Sequence, residues 1–420
     1  MRLRHIGQSG LAIYLLSAAQ AWAGGLMLYE IGTPDSGLAA AGWAARAQDP
    51  ATVATNPAGM TRLDGDQVMA GAQLLYADME FSPNTNTTVS GSDGGNPVGW
   101  FPGASAFYVH SLAPDWKLGL GMYGNFGLVM DNNDNWVGRY NIQDATILGM
   151  TLTPALAYQV NDQLSLGVGL NAMYGVFEYE VAVHNALDAI GDGQLDIGDS
   201  DWGYGANLGV LYEIQPGTRL GLDYTSSIDL ELADTPDFTN LGPLLDAVLP
   251  RAVGELGLDM SVPQTVMASV YHELDGRWAL LGNVGWQDWS EFGKVGVEVN
   301  SSTSATVDRS YQDTWHAALG AQHRYSDDWL LSFGVAYDSS MVDDADRTLD
   351  TPVGATWRFS VGGQHTLQKD LDLGLAYTLI WGGDVPVDQS SGLGPFARRV
   401  DGEYESLTTH VFSANLHWRF

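Results

Sequence analysis

The chain has 420 residues, no cysteine, and 50 acidic against 18 basic side chains, for a formal net charge of −32. The absence of cysteine excludes disulfides, thiolate metal sites and cysteine nucleophiles. The acidic excess argues against nucleic acid as a partner, because no basic stripe is present to neutralise phosphates. The 51 glycines, 14 tryptophans and 18 tyrosines favour tightly curved strands with belts of aromatic side chains.

Residues 1–23 have the pattern of a secretory signal peptide. Arg2 and Arg4 precede an apolar stretch near Leu11–Ala19, and Ala21-Trp22-Ala23 is a small-residue cleavage site. A single membrane anchor is the alternative, but the apolar stretch is far shorter than the roughly 20 residues that a spanning helix needs. We therefore expect a secreted mature chain that begins directly after this segment.

Residues 24–66 differ in composition from the rest of the chain, because alanine and glycine dominate and no alternation of apolar and polar residues is present. Two short helical turns are predicted from their starts, at Asp49-Pro50 and at Asn56-Pro57. Small side chains let such a segment fold compactly inside another structure. We predict that it is an N-terminal hatch that plugs the structure built by residues 67–420.

From Gln67 onward the residues alternate with period 2, as in β-strands. In Leu371–Trp381, for example, every odd-numbered residue is leucine, tyrosine or tryptophan. The even-numbered residues between them form the opposite face, and most of these are small or polar. Most such segments reach the roughly 9–11 tilted residues that a strand needs to cross a bilayer. The fourteen predicted strands are 67–81, 101–112, 117–127, 146–160, 163–182, 202–214, 218–232, 263–274, 277–299, 311–325, 328–341, 355–368, 371–383 and 406–420.

Short turns such as Gln215-Pro216-Gly217 alternate with long polar loops such as Ala233–Val262 and Asp384–Glu405. This asymmetry is typical of bacterial outer-membrane barrels, and an even strand number places both termini on the periplasmic side. The last strand ends on Phe420, similar to the signal that such barrels present to their assembly machinery. The predicted fold class is therefore all-β, a 14-stranded antiparallel transmembrane β-barrel plugged by the hatch, in the outer membrane of a Gram-negative bacterium.

Three local strings stand at informative positions in this pattern. They are Asn56-Pro57-Ala58 at the end of the hatch, Tyr123–Gly127 (YGNFG) after the third strand and Trp136–Tyr140 (WVGRY) in the following loop. Together with the strand count, they resemble the FadL family of outer-membrane long-chain fatty-acid transporters, including its aromatic-hydrocarbon branch.

The resemblance implies passive transport of long-chain fatty acids or hydrocarbons without a cofactor or an energy source. Ligands would be captured by extracellular loops, enter the lumen and leave sideways through a gap made by a kink in the third strand. The hatch residues Asn56, Pro57 and Ala58 would contact that region. From sequence alone, these three residues are equally well explained as a turn that closes the hatch.

Gly119, Gly121 and Gly124 form a G-x-G-x-x-G string in the third strand. It is not a dinucleotide fingerprint, because no helix follows it. Glycines inside a strand mark bulges or close approach of another backbone. With Asn125, these glycines are the predicted kink.

Pro154 lies in the middle of the predicted fourth strand, where it cannot donate a ladder hydrogen bond. Two interpretations remain open. The proline marks a plain bulge, or its missing N–H faces the third strand, where the kink has already removed pairing.

Arg139 is one of few cations in the first half of the mature chain. It either pairs with nearby Asp131 or Asp134, or attracts a ligand carboxylate through its guanidinium. The chain has only three lysines, so a cationic trap for carboxylates is poorly supplied and neutral hydrocarbons remain candidate ligands.

Residues 241–250 in a long loop predict a short amphipathic helix with Leu244, Leu245 and Val248 on it. Such a helix either caps the loop's own small core or captures an apolar ligand first. Leu26 and Leu28, near the mature N-terminus, are candidates to line a luminal pocket by the resemblance.

The acidic segment 192–201 lacks the spacing and terminal glutamate of an EF-hand, so we expect a solvated loop and predict no metal site or cofactor. An outer-membrane lipid hydrolase is the alternative function, since His272 and His316 lie in predicted strands and serines are common. A plugged lumen argues against a hydrolase and against a general polar porin. The predicted partners are a hydrophobic small molecule, outer-membrane lipids with lipopolysaccharide, and the barrel-assembly machinery, for a monomeric protein.

Overall fold

The computed structural model describes residues 27–185, 190–299, 303–391 and 397–420. The predicted signal peptide and Leu26 lie outside the described residues. The strands within them are β1 (Gln67–Pro83), β2 (Gly99–Ala113), β3 (Trp116–Asp131), β4 (Asp144–Gln159), β5 (Leu164–Val183), β6 (Gly193–Gln215), β7 (Thr218–Thr225), β8 (Ile228–Asp234), β9 (Asp237–Thr239), β10 (Leu256–Val262), β11 (Thr265–Glu273), β12 (Trp278–Gln287), β13 (Lys294–Val299), β14 (Thr303–Asp308), β15 (Thr314–Arg324), β16 (Trp329–Asp338), β17 (Thr356–Gln368), β18 (Leu371–Ser391) and β19 (Arg398–Arg419).

Fourteen of these strands, β1–β7, β11, β12 and β15–β19, close into one antiparallel barrel. The first and last strands pair from Gln67 opposite Arg419 to Pro83 opposite Gly402, so the sheet has no free end there. The predicted fold class is thus confirmed. The β8, β10, β13 and β14 strands form a separate four-stranded sheet among the long loops.

Several predicted strand bounds are wrong at the end of the barrel that carries the long loops. The predicted strand 218–232 is two strands, β7 and β8, and the predicted strand 277–299 is divided by a helix at Trp289–Phe292. The alternation continues across both breaks because the apolar side chains beyond them, such as Leu230 and Val295, are buried in the core of the loops. Alternation alone does not distinguish that core from a lipid-facing wall.

The hairpins of β5–β6 and β18–β19 are longer than predicted. Segment 192–201, predicted as a solvated loop, belongs to β6 from Gly193 onward, and Leu195 and Ile197 on its inner face are buried. The predicted loop 384–405 is largely the extended hairpin of β18 and β19. Among the described residues, no cluster of histidine and carboxylate side chains that could hold a metal ion is present.

The remaining helices are short, at Thr33–Ser36, Thr52–Thr55, Pro57–Arg62 (a 3-10 helix) and Pro243–Ala252. None of the helices in the described part of the chain is long and apolar enough to cross a membrane.

Residues 27–66, which we call the hatch, lie inside the barrel and are almost entirely buried. The wall contacts them through glycines. A Cβ atom on Gly209 would lie 2.0 Å from Asn56 Oδ1, and one on Gly167 would lie 2.2 Å from the Ala58 nitrogen. Since real Cβ atoms do not approach other atoms this closely, these wall positions require glycine.

A buried ion network fixes the fold of the hatch. Arg46 Nη2 lies 2.9 Å from Asp35 Oδ1, and Arg46 Nη1 binds the Asp49 carboxylate. Burial, opposed in part by Arg46, raises the pKa of Asp35 to about 6. Burial also opposes ionisation of Asp49, but the charge and hydrogen bonds of Arg46 outweigh it and hold the pKa of Asp49 below its usual value. One guanidinium therefore serves two carboxylates inside the lumen.

Replacing Arg46 tests how strongly this network holds the hatch. We expect Arg46→Met to destabilise the hatch by about 3–5 kcal/mol, because it leaves two buried carboxylates without their cation. Limited proteolysis of the purified protein in detergent measures this as faster cleavage within residues 27–66 while the barrel stays intact.

Two further variants control this experiment. Arg324→Met removes an exposed arginine and should leave the cleavage rate unchanged. Arg46→Met combined with Asp35→Asn and Asp49→Asn removes the stranded charges and should recover much of the lost protection. Equal cleavage of the Arg46→Met variant and the wild type would contradict a stabilising role for the network.

Candidate functional site

The barrel wall has an opening between β2 and β3. Pairing of these strands ends at Ser105 opposite Tyr123. Beyond that point residues 99–104 stay paired with β1, and residues 124–131 stay paired with β4. The opening ends where Asp131 N–H donates to the Pro97 carbonyl at 2.8 Å. We call the gap between residues 99–104 and 124–130 the window.

A β-bulge at Asn125 explains why β3 leaves β2. Gly124 lies opposite Met150 and Phe126 opposite Gly149, so Asn125 is one extra residue on β3. A bulge bends its strand and increases the local twist. It also changes which residues face inward, since Tyr123 before it and Phe126 after it are both buried. Thr151 Oγ1 donates to Asn125 Oδ1 at 3.1 Å and holds the bulge against β4.

Gly124 and Asn125 therefore lie at the kink, whereas Gly119 and Gly121 do not. Gly119 and Gly121 belong to the regular part of the β2–β3 ladder. A Cβ atom on Gly119 would lie 2.7 Å from the Val53 side chain of the hatch. The prediction that Gly119 and Gly121 form the kink is therefore wrong. These two glycines leave room for the hatch instead.

The start of the hatch covers the kinked backbone. Met27 forms an antiparallel bridge with Phe126, and Leu28 N–H donates to the Asn125 carbonyl at 2.9 Å. Across the lumen, Glu30 forms a salt bridge with Arg358 of β17. The segment 27–30 is therefore held at both sides of the barrel, with one end on the window.

A cavity of about 70 Å³ lies directly behind the window. Its lining includes Asn125 of the window, Tyr123 at the end of the window and Leu28, which covers the bulge. The other lining side chains are mainly apolar, with hydroxyl and amide groups among them, and Asp223 is the one charged residue of the described lining. This is the mixture of apolar surface and a few polar groups that small-molecule sites have.

Asn56, Pro57 and Ala58 lie elsewhere. Asn56 Nδ2 donates to the Ala44 carbonyl at 2.6 Å and to the Val210 carbonyl of β6 at 3.0 Å, and its Oδ1 accepts from Ala58 N–H. The three residues thus cap the 3-10 helix and fix it against β5 and β6. The expected contact of these residues with the kink is not present, and Met27 and Leu28 make that contact instead.

Pro154 also lies away from the window. Its pairing with Leu120 of β3 is retained. The β4–β5 ladder is interrupted at Thr153 and Pro154 and resumes without a register shift, so the missing N–H faces β5 and no bulge is present. Both interpretations of this proline were wrong.

The informative proline is Pro102, which sequence reasoning missed. It lies in β2 within the window, paired with Leu74 of β1 on its other side. Prolines within sheets are confined to free edges and bulges. Pro102 was the available signal for an opening at this strand, but Pro154 shows that a proline within a barrel strand does not identify an opening by itself.

Arg139 is held in the loops. Its Nε lies 2.9 Å from Asp192 Oδ2, and its Nη1 donates to the carbonyls of Ser90 and Trp136. Its partner is therefore Asp192 rather than Asp131 or Asp134. Arg139 does not line the cavity. Its hydrogen bonds and ion pair join three loop segments instead.

The helix at Pro243–Ala252 forms as expected, on the loops and away from the cavity. Leu249 is buried, whereas Leu244 and Val248 are 54% and 42% exposed and Leu245 is half-buried. The helix therefore both caps its loop and presents apolar side chains to solvent.

The two histidines considered for a hydrolase have other partners. His316 Nδ1 is 2.7 Å from Asp338 Oδ1, and its ring packs on Tyr29 at 4.4 Å. His272 contacts Thr218 at 2.9 Å near a short turn. Neither histidine has a serine among its hydrogen-bond partners in the described residues.

Comparison with known proteins agrees with this architecture along the whole chain. The family model described as outer membrane protein transport protein (OMPP1/FadL/TodX) matches residues 14–420. The long-chain fatty acid transport protein of Escherichia coli K12 is 25% identical over 453 residues, which cover 98% of each chain. Outer membrane protein P1 of Haemophilus influenzae is 27% identical over 428 residues, 89% of this chain and 90% of the relative.

Solved structures share the fold. A Pseudomonas aeruginosa FadL homologue has a TM-score of 0.86 at 20% identity and covers 94% of this chain and 99% of its own. The P. putida toluene transporter TodX has a TM-score of 0.70 at 16% identity, with the same coverage. At these identities the structural likeness shows the fold alone.

The family consists of transport proteins, which excludes the lipid-hydrolase alternative, and its named relatives are outer-membrane proteins of Gram-negative bacteria. The resemblance found in the three sequence strings is thereby confirmed. The chain is a Gram-negative outer-membrane barrel that belongs to the OMPP1/FadL/TodX family of transport proteins.

Proposed function

We propose that this protein carries hydrophobic molecules passively across the outer membrane, by capture on the extracellular loops, passage into the cavity and release through the window into the bilayer. The ligand class is long-chain fatty acids or hydrocarbons. Relatives named for fatty-acid transport and for toluene transport support this range.

One observation carries the proposal, namely that the cavity and the window share residues. Tyr123 closes the lower end of the window and lines the cavity, and Asn125 forms the bulge and lines the cavity. A molecule in the cavity is therefore adjacent to the gap in the wall. For an apolar ligand this route avoids water, because moving apolar surface from a cavity into hydrocarbon exposes none of it.

Below the cavity the lumen is blocked. Val53 and Met60 of the hatch are fully buried and pack in one cluster with Phe107 and Val109 of β2. A ligand that enters the cavity therefore meets a packed apolar layer toward the periplasm and a window toward the lipid. The lateral route is the one that needs the smaller rearrangement, a movement of residues 27 and 28.

A cysteine placed at the window tests the lateral route, since the chain has no native cysteine. Gly124→Cys is suited to this, because a Cβ atom there would have the Gly149 carbonyl oxygen, at 3.9 Å, as its one neighbour within 4 Å. We expect the unmodified variant to take up labelled toluene and oleate like the wild type. Alkylation with a bulky maleimide should reduce uptake to that of cells without the protein.

Leu319→Cys is the matched control, on the lipid-facing side of the regular strand β15, where the side chain is 69% exposed. Its alkylation should leave uptake unchanged. Heat-modifiable electrophoretic mobility confirms that each barrel is folded. Normal uptake by the alkylated Gly124→Cys variant would sink the lateral route.

The loop helix is proposed as the place of first capture. Replacing Leu244 and Val248 together by serine removes two exposed apolar side chains, so we expect the half-saturating ligand concentration to rise about tenfold. The maximal uptake rate should be unchanged. Asp246→Ser on the same helix is the control, and a loss of maximal rate in the double variant would argue against a capture role.

We also propose the partners expected from the sequence. Phe420 ends β19 with its side chain 58% exposed, and its carbonyl accepts from Asp66 N–H, so the terminal ring is available to the barrel-assembly machinery. A window that must open to lipid favours a monomer surrounded by lipid and lipopolysaccharide. Residues 1–23 are proposed as a signal peptide removed on export.

A further inference from the structure

The cavity contains a buried carboxyl group that the transport route does not explain. Asp223 is on β7, its side chain is 3% exposed, and it lines the cavity. Thr225 Oγ1 donates to Asp223 Oδ2 at 3.3 Å, a long hydrogen bond. Asp223 Oδ1 has no hydrogen-bond partner among the described residues.

Among the described residues, no lysine, arginine or histidine lines the cavity to compensate a charge on Asp223. The nearby lining is apolar or neutral, with Met173, Ile228 and Met267 among the apolar members. Buried polar groups are normally hydrogen-bonded, and an unpaired oxygen in a cavity points to a ligand that supplies the missing donor.

The buried arginines Arg358 and Arg46 of the lumen are not available to bind a ligand carboxylate in the cavity. Arg358 is engaged by Glu30 and Asp338, and Arg46 by Asp35 and Asp49. Neither arginine lines the cavity. A ligand carboxylate would therefore lose its hydration in a low-dielectric space where no arginine, lysine or histidine of the described lining offsets its charge. A ligand hydroxyl would instead donate to the free oxygen of Asp223.

We propose that Asp223 makes this cavity selective for neutral hydrophobic ligands that carry a hydroxyl group, while a lining without a cation among its described residues excludes ligands that carry a carboxylate. This inference rests on the proposed function and narrows its ligand class. Apolar contacts hold the hydrocarbon part of the ligand, and Asp223 Oδ1 accepts the hydroxyl proton. A site that hydrogen-bonds a hydroxyl discriminates strongly against analogues that lack it, because its own polar group is then left unpaired.

Three ligands that share a methylbenzene ring and differ in one substituent test this selectivity. Calorimetry on the purified full chain in detergent at neutral pH measures binding of p-cresol, toluene and p-toluate, which differ in a hydroxyl, a hydrogen and a carboxylate. For the wild type we expect p-cresol to bind about tenfold more tightly than toluene, and p-toluate to bind more weakly than both.

Two substitutions at Asp223 assign the selectivity. Asp223→Asn keeps the shape and an acceptor, so p-cresol should keep its advantage over toluene and p-toluate should still bind most weakly. Asp223→Leu removes the acceptor, so p-cresol should bind no better than toluene. If Asp223→Leu does not give a folded barrel by heat-modifiable mobility, Asp223→Ala makes the same comparison.

Asp229→Asn is the matched control, because it removes one negative charge from an exposed side chain six positions further along the chain. It should leave all three affinities unchanged. If toluene binds every variant equally and the order of the three ligands is also unaffected, the role of Asp223 is overturned while the cavity stands. If none of the three ligands binds the wild type, the proposed function itself fails.

Discussion

Inside a bilayer every backbone amide and carbonyl must find its hydrogen-bond partner within the protein, and this constraint organises the whole molecule. Closure of the sheet from β1 to β19 meets it around most of the wall. At the window, β2 and β3 do not pair with each other, so the wall leaves backbone groups there without a partner in the neighbouring strand. On the β3 side, Met27 and Leu28 of the hatch supply partners for the bulged strand. On the β2 side, Pro102 has no N–H to satisfy. The opening is thus tolerated because each of its edges is adapted separately.

The same segment links the window to the rest of the lumen. Residues 27 and 28 cover the kink, while Glu30 is held by Arg358 of β17 on the other side of the barrel. The hatch below is fixed by the Arg46 network and by wall glycines that admit its backbone. We infer that the fixed part blocks the axial route and that a ligand displaces the short paired end at the window, since a single backbone hydrogen bond contributes about 1 kcal/mol.

The cavity behind the window combines apolar lining with one carboxyl group whose Oδ1 is unpaired, and no cation is among its described lining residues. Related proteins are named for fatty acids and for toluene, so the fold serves ligands with and without charge. What differs between such ligands at the molecular level is the polar group that must be desolvated. In this chain we propose that Asp223 determines which polar group the cavity can satisfy. Arg139, the cation that the sequence made most conspicuous, is paired with Asp192 in the loops.

The sequence by itself determined the strand number, the closed barrel and its membrane, because period-2 alternation, strand length and turn asymmetry are local properties that a lipid-facing wall imposes on every strand. It placed the kink at Gly119, Gly121, Gly124 and Asn125, whereas the bulge of the structure involves Gly124 and Asn125 and leaves the first two glycines in the regular ladder. Only the tertiary structure decided which hatch residues meet the kink, which way Pro154 faces and where β7 and β12 leave the wall. The place of the hatch depends on contacts between residues far apart along the chain, such as Leu28 with Asn125 and Asn56 with Val210. The ends of β7 and β12 depend on whether an alternating segment packs against lipid or against other loops. Asp223 was invisible for the same reason, since nothing in its neighbours along the chain shows that no cation faces it.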